Sequence, residues 1–536
     1  MNKVLVIGID GATWDLITPW VNEGKLPTFR RLMEKGTWGT LESTIPYLSP
    51  VAWTSAFTGV NPGKHGIFDF ISIKGYTKNL VTSKDRKREA VWEILSQFGK
   101  KVIVLNVPIT YPPDKVNGIM ISGIGTPSLE SDFIYPKNLK SQIFKELHDY
   151  QIYIDNIPGV YAKNAEIFYR RVQKVLKKTQ EMTFYLLNTF SYKWDFFATV
   201  FMGIDWIQHF FWKYMDSKHP SYTQDSAREF GDAILKMYYL LDRTISKTLD
   251  ILGPYVDVII ISDHGFGPVY KDFYINNYLI DLGLLKLKWM SDHFMMSKSK
   301  DLIGTIYSKF KRLLPQSAKG IAFSMDENIT NWSGTKVWAF SPDGQSLKIN
   351  LKDREPQGIV RIMEYEKLRD FVIKRLYEFR DPKTNEEIID KVHRREEIYW
   401  GPYLNDAPDL IIQMKNGYVL KSTFGRGLIL PARQGIAERS ANHRIDGIFL
   451  AYGPRIKKGQ KIERVKIYDV VPTILHMFGL PILSDLDGRV LTEMFDKGNE
   501  FATKEVRYVD SEYYKRWEAK TRIRERLRSL GKSGKI

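Results

Sequence analysis

An apolar run that ends in Asp-His-Gly is the feature that most constrains this chain. Residues 256–262 read Val-Asp-Val-Ile-Ile-Ile-Ser, and Asp263, His264 and Gly265 follow directly. A run of this length, rich in β-branched residues, predicts a buried strand that leaves a carboxylate and an imidazole at the rim of a sheet. Both groups bind divalent metals. An ordinary turn could carry the same residues, so the interpretation depends on the rest of the chain.

Three more fragments carry the same chemistry at distant positions. One aspartate follows the apolar run at 4–9, and a histidine precedes the apolar run at 447–452. An aspartate and a histidine lie four residues apart after the run at 196–201, a spacing that places both side chains on one helix face. Six such ligands can hold two divalent ions, and two ions can clamp an in-line phosphoryl displacement. The six residues are Asp10, Asp205, His209, Asp263, His264 and His443.

Alternating strand and helix patterns predict the fold class. This alternation favours an α/β fold with a mostly parallel sheet and helices on both faces. The predicted strands are 4–9, 101–107, 196–201, 256–262, 336–340, 409–414 and 447–452. The predicted helices are 26–35, 166–189, 222–252, 365–379 and 469–478.

Composition excludes several classes of protein. None of the 536 residues is cysteine, which excludes disulfides, thiolate zinc sites and cysteine nucleophiles. The length indicates one large domain with insertions, or two domains. No apolar run approaches the roughly 18 residues that cross a membrane. The first predicted strand starts where a signal peptide would lie. We therefore expect a cytoplasmic protein without a transmembrane segment.

Residues 281–335 interrupt the alternation. Leu302, Ile306, Phe310 and Leu313 recur at helical spacing with basic residues on the opposite side, and Pro315 ends the run. We expect an amphipathic lid whose apolar stripe packs on the core. The predicted plan is a core in two parts, 1–280 and 336–500. A basic lid at 281–335 lies between them, and a basic helical tail at 501–536 follows.

The net charge of +17 is concentrated in two of these segments. Residues 284–320 hold eight basic and two acidic residues, and residues 511–536 hold nine and three. A solvated charged face is the simplest interpretation of both. Attraction of an anionic substrate, or peripheral contact with an anionic membrane or nucleic acid, stays open as an alternative.

The predicted nucleophile is a hydroxyl in the segment 47–55. Ser49 precedes Pro50, a residue favoured in the first turn of a helix. At a helix start, Ser49 is exposed either to cap the helix or to attack a substrate, and both roles are open. The hydroxyls of Thr54 and Ser55 are the neighbouring alternatives, but inside the helix they would point away or bond back to the chain.

With these motifs in this order, the chain resembles the alkaline phosphatase superfamily. The nearest branch is that of the type I phosphodiesterase/nucleotide pyrophosphatase-like phosphohydrolases. The resemblance covers residues from about 4 to about 492. It rests on the segments 7–11, 26–37, 49–67, 205–209, 262–265, 443–447 and 468–488.

The resemblance implies a site and a reaction. One divalent ion would take Asp10, Ser49, Asp263 and His264, and the other Asp205, His209 and His443. The ions would be zinc, with manganese as the alternative. The substrate would be a small phosphate ester, with a nucleotide as one candidate, cleaved through a covalent phosphoserine. Asn106, at a strand end, either contacts substrate or caps the strand. Lys64 and His65 match a family turn and are expected to be structural.

Departures from the family pattern leave the substrate open. The nucleotide pyrophosphatases have a threonine where this chain has Ser49, and an asparagine in their site helps to hold the phosphate. The helix after Ser49 offers no asparagine before Asn61, so phosphodiester and phosphomonoester cleavage are both retained. Trp53 stands where a sulfatase needs arginine, which argues against sulfatase chemistry. A phosphoryl transferase or phosphomutase is one alternative, and a non-catalytic membrane- or nucleic-acid-binding scaffold is another.

Overall fold

The computed structural model describes residues 3–154, 164–191, 193–288, 329–341, 345–432, 439–514 and 516. The predicted lid helix and most of the predicted basic tail lie outside these residues, so both stay predictions. Within the described residues, no helix combines the length and apolar character needed to cross a membrane.

The strands are numbered in chain order. They are β1 (Lys3–Ile9), β2 (Thr37–Glu42), β3 (Ile71–Lys74), β4 (Thr77–Leu80), β5 (Val102–Leu105), β6 (Gly118–Ile121), β7 (Ile134–Tyr135), β8 (Phe196–Phe201), β9 (Val256–Ile261), β10 (Gly265–Tyr274), β11 (Val337–Ala339), β12 (Ser346–Ile349), β13 (Ile389–Arg394), β14 (Leu410–Met414), β15 (Gly417–Lys421), β16 (Ile429–Pro431), β17 (Ala441–Arg444), β18 (Asp446–Tyr452), β19 (Gln460–Lys466), β20 (Ile482–Leu483) and β21 (Tyr508–Val509).

The α-helices are numbered in the same way. They are α1 (Trp14–Asn22), α2 (Pro27–Lys35), α3 (Ser49–Thr58), α4 (Pro62–His65), α5 (Val91–Gln97), α6 (Leu139–Glu146), α7 (Ala165–Thr189), α8 (Gly203–Met215), α9 (Gln224–Phe230), α10 (Ala233–Leu252), α11 (Ile275–Asp281), α12 (Ile362–Glu378), α13 (Arg395–Ile398), α14 (Val470–Met477) and α15 (Glu500–Thr503).

A nine-stranded sheet forms the centre of the protein. Its strand order is β19-β2-β18-β9-β1-β8-β5-β6-β7, and only β18 and β7 run against the other strands. The innermost strands β1, β8 and β9 are almost entirely buried, because helices cover the sheet. Such strands appear in the sequence as continuous apolar runs. The predicted α/β class with a mostly parallel sheet is confirmed.

The helices around this sheet form two groups. In one group α10 contacts α2, α7 and α8, while α8 also contacts α7 and α9. In the other group α14 contacts α3 and α5, and α3 also contacts α4. The single helix predicted at 222–252 is wrong in one respect. It is two helices, α9 and α10, separated at Gly231 and Asp232, a glycine and an aspartate that both disfavour a helix interior.

A smaller lobe follows β9 and has its own hydrophobic core. It contains a sheet in the order β11-β12-β14-β13 and a second sheet in which β15, β16 and β17 all pair with β10. Leu279, Val337, Leu347 and Ile412 are among its core residues. Its strands are mostly short and antiparallel, so the α/β alternation predicted for the whole chain does not continue through this lobe.

Gly8 is where the sheet and helix α3 approach most closely. A methyl group on Gly8 would lie 2.5 Å from the Trp53 ring and 2.8 Å from a Val200 methyl. The Trp53 indole also donates a 2.7 Å hydrogen bond to Asp10 at the end of β1. The absence of a side chain at position 8 therefore leaves the room that the Trp53 ring occupies.

We expect Gly8→Ala to lower the free energy of unfolding by about 1–3 kcal/mol, the usual cost of overpacking a core. Thermal unfolding measures it. Gly427→Ala is the control, because its added methyl would meet only a Leu430 methyl at 3.6 Å. Equal melting temperatures for the two variants would show that Trp53 is not held as the structure indicates.

Candidate active site at the carboxyl edge of the sheet

The predicted ligands meet at the edge of the sheet where β1, β8 and β9 end. Asp10 directly follows β1, and Asp263 and His264 follow β9. Helix α8, which starts directly after β8, carries Asp205 and His209. Parallel strands end at the same edge, so three distant chain segments converge there. His443 comes from β17, and Ser49 is the first residue of α3. All seven side chains are buried.

One half of the cluster is formed by Asp205 and two imidazoles. Asp205 Oδ1 lies 3.3 Å from His209 Nε2 and 3.2 Å from His443 Nε2. The two Nε2 atoms are 3.0 Å apart. One carboxylate oxygen and two ring nitrogens therefore surround a single point, as expected for three ligands of one ion.

The other half is centred on His264 Nε2. This atom lies 3.3 Å from Asp263 Oδ2, 3.4 Å from Ser49 Oγ and 3.7 Å from Asp10 Oδ1. The ligand atoms of Asp10, Asp205 and His264 also lie within 4.8 Å of one another. Asp205 is thus within reach of both halves, whereas the resemblance had assigned it to one ion only.

Backbone carbonyls determine the tautomer that each of the three imidazoles adopts when neutral. The Nδ1 atoms of His209, His264 and His443 lie 2.8–3.1 Å from the carbonyl oxygens of Ala441, Gly265 and Tyr47. A carbonyl can only accept, so each neutral ring carries its proton on Nδ1 and directs an Nε2 lone pair into the cluster. Two lone pairs that face each other at 3.0 Å cannot form a hydrogen bond.

The residues present therefore fit divalent metal ions. Buried Asp205 Oδ1 and Asp263 Oδ2 have no hydrogen-bond partner among the described residues. A cation between them and the Nε2 lone pairs would satisfy all these atoms at once, since histidine metal ligands usually donate their second nitrogen to a carbonyl or carboxylate. The donor set of carboxylates and imidazoles suits zinc and manganese alike.

The electrostatics of the cluster also favour a bound cation. Burial, and then the charges of Asp263 and Asp205, raise the pKa of Asp10 well above its usual value. Burial and the charge of Asp205 do the same to the pKa of Asp263. Burial lowers the pKa of His209 to about 4 and that of His264 well below its usual value. Both rings are neutral at pH 7, so they do not offset the repulsion between the carboxylates.

Ser49 points into the cluster and does not cap its helix. The residue that precedes α3 is Leu48, and Ser49 Oγ lies 3.4 Å from Asp10 Oδ1 and from His264 Nε2. The capping role considered for Ser49 is therefore wrong. The neighbouring hydroxyls are used elsewhere: Thr54 donates to the Pro50 carbonyl at 2.6 Å, and Ser55 lies 2.9 Å from His65 Nε2.

Asn106 lies outside the cluster. Its amide nitrogen donates to Thr179 at 3.0 Å, and its amide oxygen accepts from Tyr150 at 2.5 Å. Both ends of the amide are thus engaged by neighbouring segments, which favours a structural role over the predicted substrate contact. Lys64 likewise binds the Asp487 carboxylate at 2.5 Å, and the structural role expected for it is consistent with this ion pair.

Three contacts that support the cluster could not be found by motif. Trp53 donates to Asp10, the Gly11 amide donates to Asp263 at 3.3 Å, and the Tyr47 carbonyl accepts from His443. The position of Trp53, four residues after Ser49 on the same helix, was the only signal in the sequence. The other two contacts come from the backbone, which any residue type could supply.

Comparisons with solved structures show the same fold. An inactive form of murine ectonucleotide pyrophosphatase/phosphodiesterase 5, in complex with AMP, aligns over 92% of this chain and 100% of its own, with 13% identity and a TM-score of 0.52. The human protein aligns over the same shares with 15% identity and a TM-score of 0.51. Phosphonoacetate hydrolase from Sinorhizobium meliloti 1021, in complex with phosphonoformate, aligns over 88% of this chain and 94% of its own, with 14% identity and a TM-score of 0.51.

Sequence comparison identifies the family directly. No curated protein matches the chain. The model of the type I phosphodiesterase/nucleotide pyrophosphatase family, however, matches residues 4–443, a span that begins in β1 and ends at the last of the clustered histidines. The chain therefore belongs to the type I phosphodiesterase/nucleotide pyrophosphatase family of the alkaline phosphatase superfamily, and it is a phosphohydrolase.

Proposed function

We propose that this phosphohydrolase depends on two divalent metal ions and cleaves phosphate esters through a phosphoserine at Ser49. The observation that carries the proposal is the position of Ser49 Oγ, 3.4 Å from both Asp10 Oδ1 and His264 Nε2. Asp10, Asp263 and His264 would hold the ion beside this hydroxyl. His209 and His443 would hold the other, with Asp205 next to both.

The chain's own groups suit a two-step displacement. Ser49 Oγ would attack phosphorus, so that an Oγ–P bond forms as the bond to the leaving oxygen breaks. Water would then attack the phosphoserine and release phosphate or a phosphomonoester, which regenerates the hydroxyl. The bound ions would lower the pKa of the hydroxyl and offset charge on the phosphoryl oxygens. Burial of Ser49 keeps most water away during the first step.

The substrate is proposed to be a small phosphate ester. The structures similar to this chain include a complex with AMP and a complex with phosphonoformate, which supports a ligand with one phosphoryl or phosphonyl group. The cluster fits this group because the side chains that would hold the two ions lie close together at the same edge of the sheet. Whether the substrate is a monoester or a diester depends on groups around the leaving oxygen.

Metal stoichiometry tests the ligand set. We expect the wild type to bind two zinc ions, and Asp263→Ala and His443→Ala to bind about one each, because each variant removes a ligand of a different ion. Zinc content after equilibrium dialysis measures this. His393→Ala is the control: this half-buried imidazole contacts Gln413 at 2.7 Å, outside the cluster. Two ions retained by both cluster variants, with the fold intact by circular dichroism, would contradict the assignment.

Ser49→Ala tests covalent catalysis. We expect the rate to fall by about three orders of magnitude or more while both ions stay bound, since the nucleophile is lost and its loss leaves the other ligands in place. Wild-type protein quenched in acid during turnover should carry phosphate on Ser49, detected by mass spectrometry of peptides.

Thr54→Val is the matched control for this experiment. It removes a hydroxyl one turn away on α3 that is bonded to the Pro50 carbonyl, and the rate should stay within a few-fold of wild type. Normal turnover by Ser49→Ala would contradict the phosphoserine intermediate. An inactive Thr54→Val variant beside an active Ser49→Ala variant would contradict it as well.

Metal removal and a substrate screen test the reaction class. We expect exhaustive chelation to abolish hydrolysis of p-nitrophenyl phosphate or bis-p-nitrophenyl phosphate, and zinc or manganese to restore it. The ratio of the two rates distinguishes a monoesterase from a diesterase. An added alcohol should not divert phosphate from water, as it would in a transferase. Turnover that survives chelation would overturn the two-metal proposal.

A further inference from the structure

Helix α3 reaches both oxygens of one carboxylate in the cluster. Ser49 Oγ lies 3.4 Å from Asp10 Oδ1, and the Trp53 indole donates a 2.7 Å hydrogen bond to Asp10 Oδ2. Ser49 and Trp53 lie four residues apart on α3, a spacing that places two side chains on one face of a helix. The helix face that carries the proposed nucleophile therefore also carries a donor to the neighbouring ligand.

The surroundings of Trp53 keep its N–H directed at Asp10. The side chain is fully buried, and its ring stacks on the Phe57 ring at a centroid distance of 5.9 Å and an interplanar angle of 18°. The outer edge of the same ring occupies the space beside Gly8. A turn of the indole would lose these contacts together with the hydrogen bond.

This hydrogen bond determines how Asp10 can bind a cation. A carboxylate with both oxygens free can bind an ion through one oxygen or through both. The indole N–H engages Oδ2 of Asp10, so Oδ1 is the oxygen directed to the cluster, 3.7 Å from His264 Nε2. Asp263 is arranged in the same way. Its Oδ1 accepts from the Gly11 amide at 3.3 Å, and its Oδ2 has no hydrogen-bond partner among the described residues.

Of these two donors, only the one on Trp53 belongs to a side chain. A substitution can remove the indole N–H, whereas every residue type except proline would supply the amide at position 11. Trp53 and Asp10 are both fully buried, so water is not at hand to replace the bond. The contribution of this donor can therefore be measured by itself.

We propose that Trp53 is a positioning residue that holds Asp10 as a one-oxygen ligand of the ion beside Ser49. The indole N–H fixes the plane of the carboxylate, and α3 keeps this ligand aligned with the hydroxyl that attacks the substrate. The inference rests on the two-metal function proposed above and adds to it a residue that acts through Asp10.

Trp53→Phe removes the N–H and keeps an aromatic ring. Zinc binding to the full chain is measured by equilibrium dialysis against buffers that set the free zinc concentration. We expect the wild type to bind two ions. In Trp53→Phe the affinity for one of them should fall about 10- to 100-fold, the usual effect of removing a group that orients a metal ligand. The affinity for the other should stay within a few-fold, because His209 and His443 are untouched.

Trp92→Phe is the matched control. The Trp92 indole is also buried, packs against the same Phe57 ring and donates a 2.9 Å hydrogen bond to the Asp114 carboxylate, outside the cluster. Both zinc affinities should be unchanged in this variant. The same zinc affinities in Trp53→Phe and in a wild type that binds two ions would overturn this inference alone. A wild type that binds no zinc would overturn the two-metal function and this inference with it.

Asp10→Asn tests the orientation, because an amide has two unlike ends. If Trp53 fixes the group at position 10, the amide oxygen accepts from the indole, and the NH2 group, which only donates, faces the cluster. We expect Asp10→Asn to lose one ion. Adding Trp53→Phe frees the amide to turn its oxygen inward, so the double variant should bind that ion about tenfold more tightly than Asp10→Asn. A double variant that binds zinc no better than Asp10→Asn would overturn the proposed positioning.

A measurement on the wild type does not depend on the folding of a variant at position 53. With nitrogen-15 in the tryptophan indoles, the resonance of Trp53 is identified as the one that Asp10→Asn shifts most. Zinc should shift this resonance in the wild type, because an ion on Oδ1 withdraws charge from the oxygen that accepts the N–H. No shift at saturating zinc would overturn the inference.

Discussion

Three carboxylates buried together at one edge of the sheet are the constraint on which the rest of the structure depends. Asp10, Asp205 and Asp263 are each at most 6% exposed. An ionised carboxylate without a counter-charge costs several kcal/mol to bury. The imidazoles of His209 and His264 do not supply that charge, because burial lowers the pKa of His209 to about 4 and that of His264 well below its usual value. Divalent ions would satisfy the carboxylates and the imidazoles together, so the fold is arranged to hold charge that it does not itself neutralise.

The order of the chain explains how so distant a histidine reaches this edge. The smaller lobe lies between His264 and His443 in sequence, and its two ends are paired as β10 and β17. In that pairing Phe266 lies opposite His443, and the His264 and His443 rings stack with centroids 3.8 Å apart. The lobe can therefore contain many residues without displacing His443 from the cluster. The pairing of β10 with β17 fixes the two ends of the lobe. The position of His443 therefore does not depend on the length of chain between these strands.

Sequence patterns predicted the centre of the sheet and the cluster well, for a physical reason. Strands covered on both faces, such as β1 and β9, appear as unbroken apolar runs, and the polar residue that ends each run is at the sheet edge by necessity. In the smaller lobe β11 and β14 were predicted, whereas β12 and β16 were not, since three or four residues do not establish a period. The break between α9 and α10 had only Gly231 and Asp232 as signals.

Other features could not be predicted because they depend on how distant segments pack together or on contacts of backbone groups. Nothing in the motif around Ser49 shows that its hydroxyl turns from the helix end toward Asp10, or that Trp53 binds the same carboxylate. The motifs in the sequence gave the residue set, and the resemblance to a known family gave its assignment to two ions. Only the three-dimensional arrangement shows that Asp205 is within reach of both halves of the cluster.

Two short backbone segments link the nucleophile to the last histidine of the cluster. Tyr47 lies two residues before Ser49 and accepts a hydrogen bond from His443 through its carbonyl. Arg444 follows His443 directly, and its guanidinium donates to the carbonyls of His443 and Pro268, at 3.1 and 2.8 Å. These contacts join the segment before Ser49 to β17, and β17 to β10, so the positions of the hydroxyl and of the last imidazole depend on each other through the backbone.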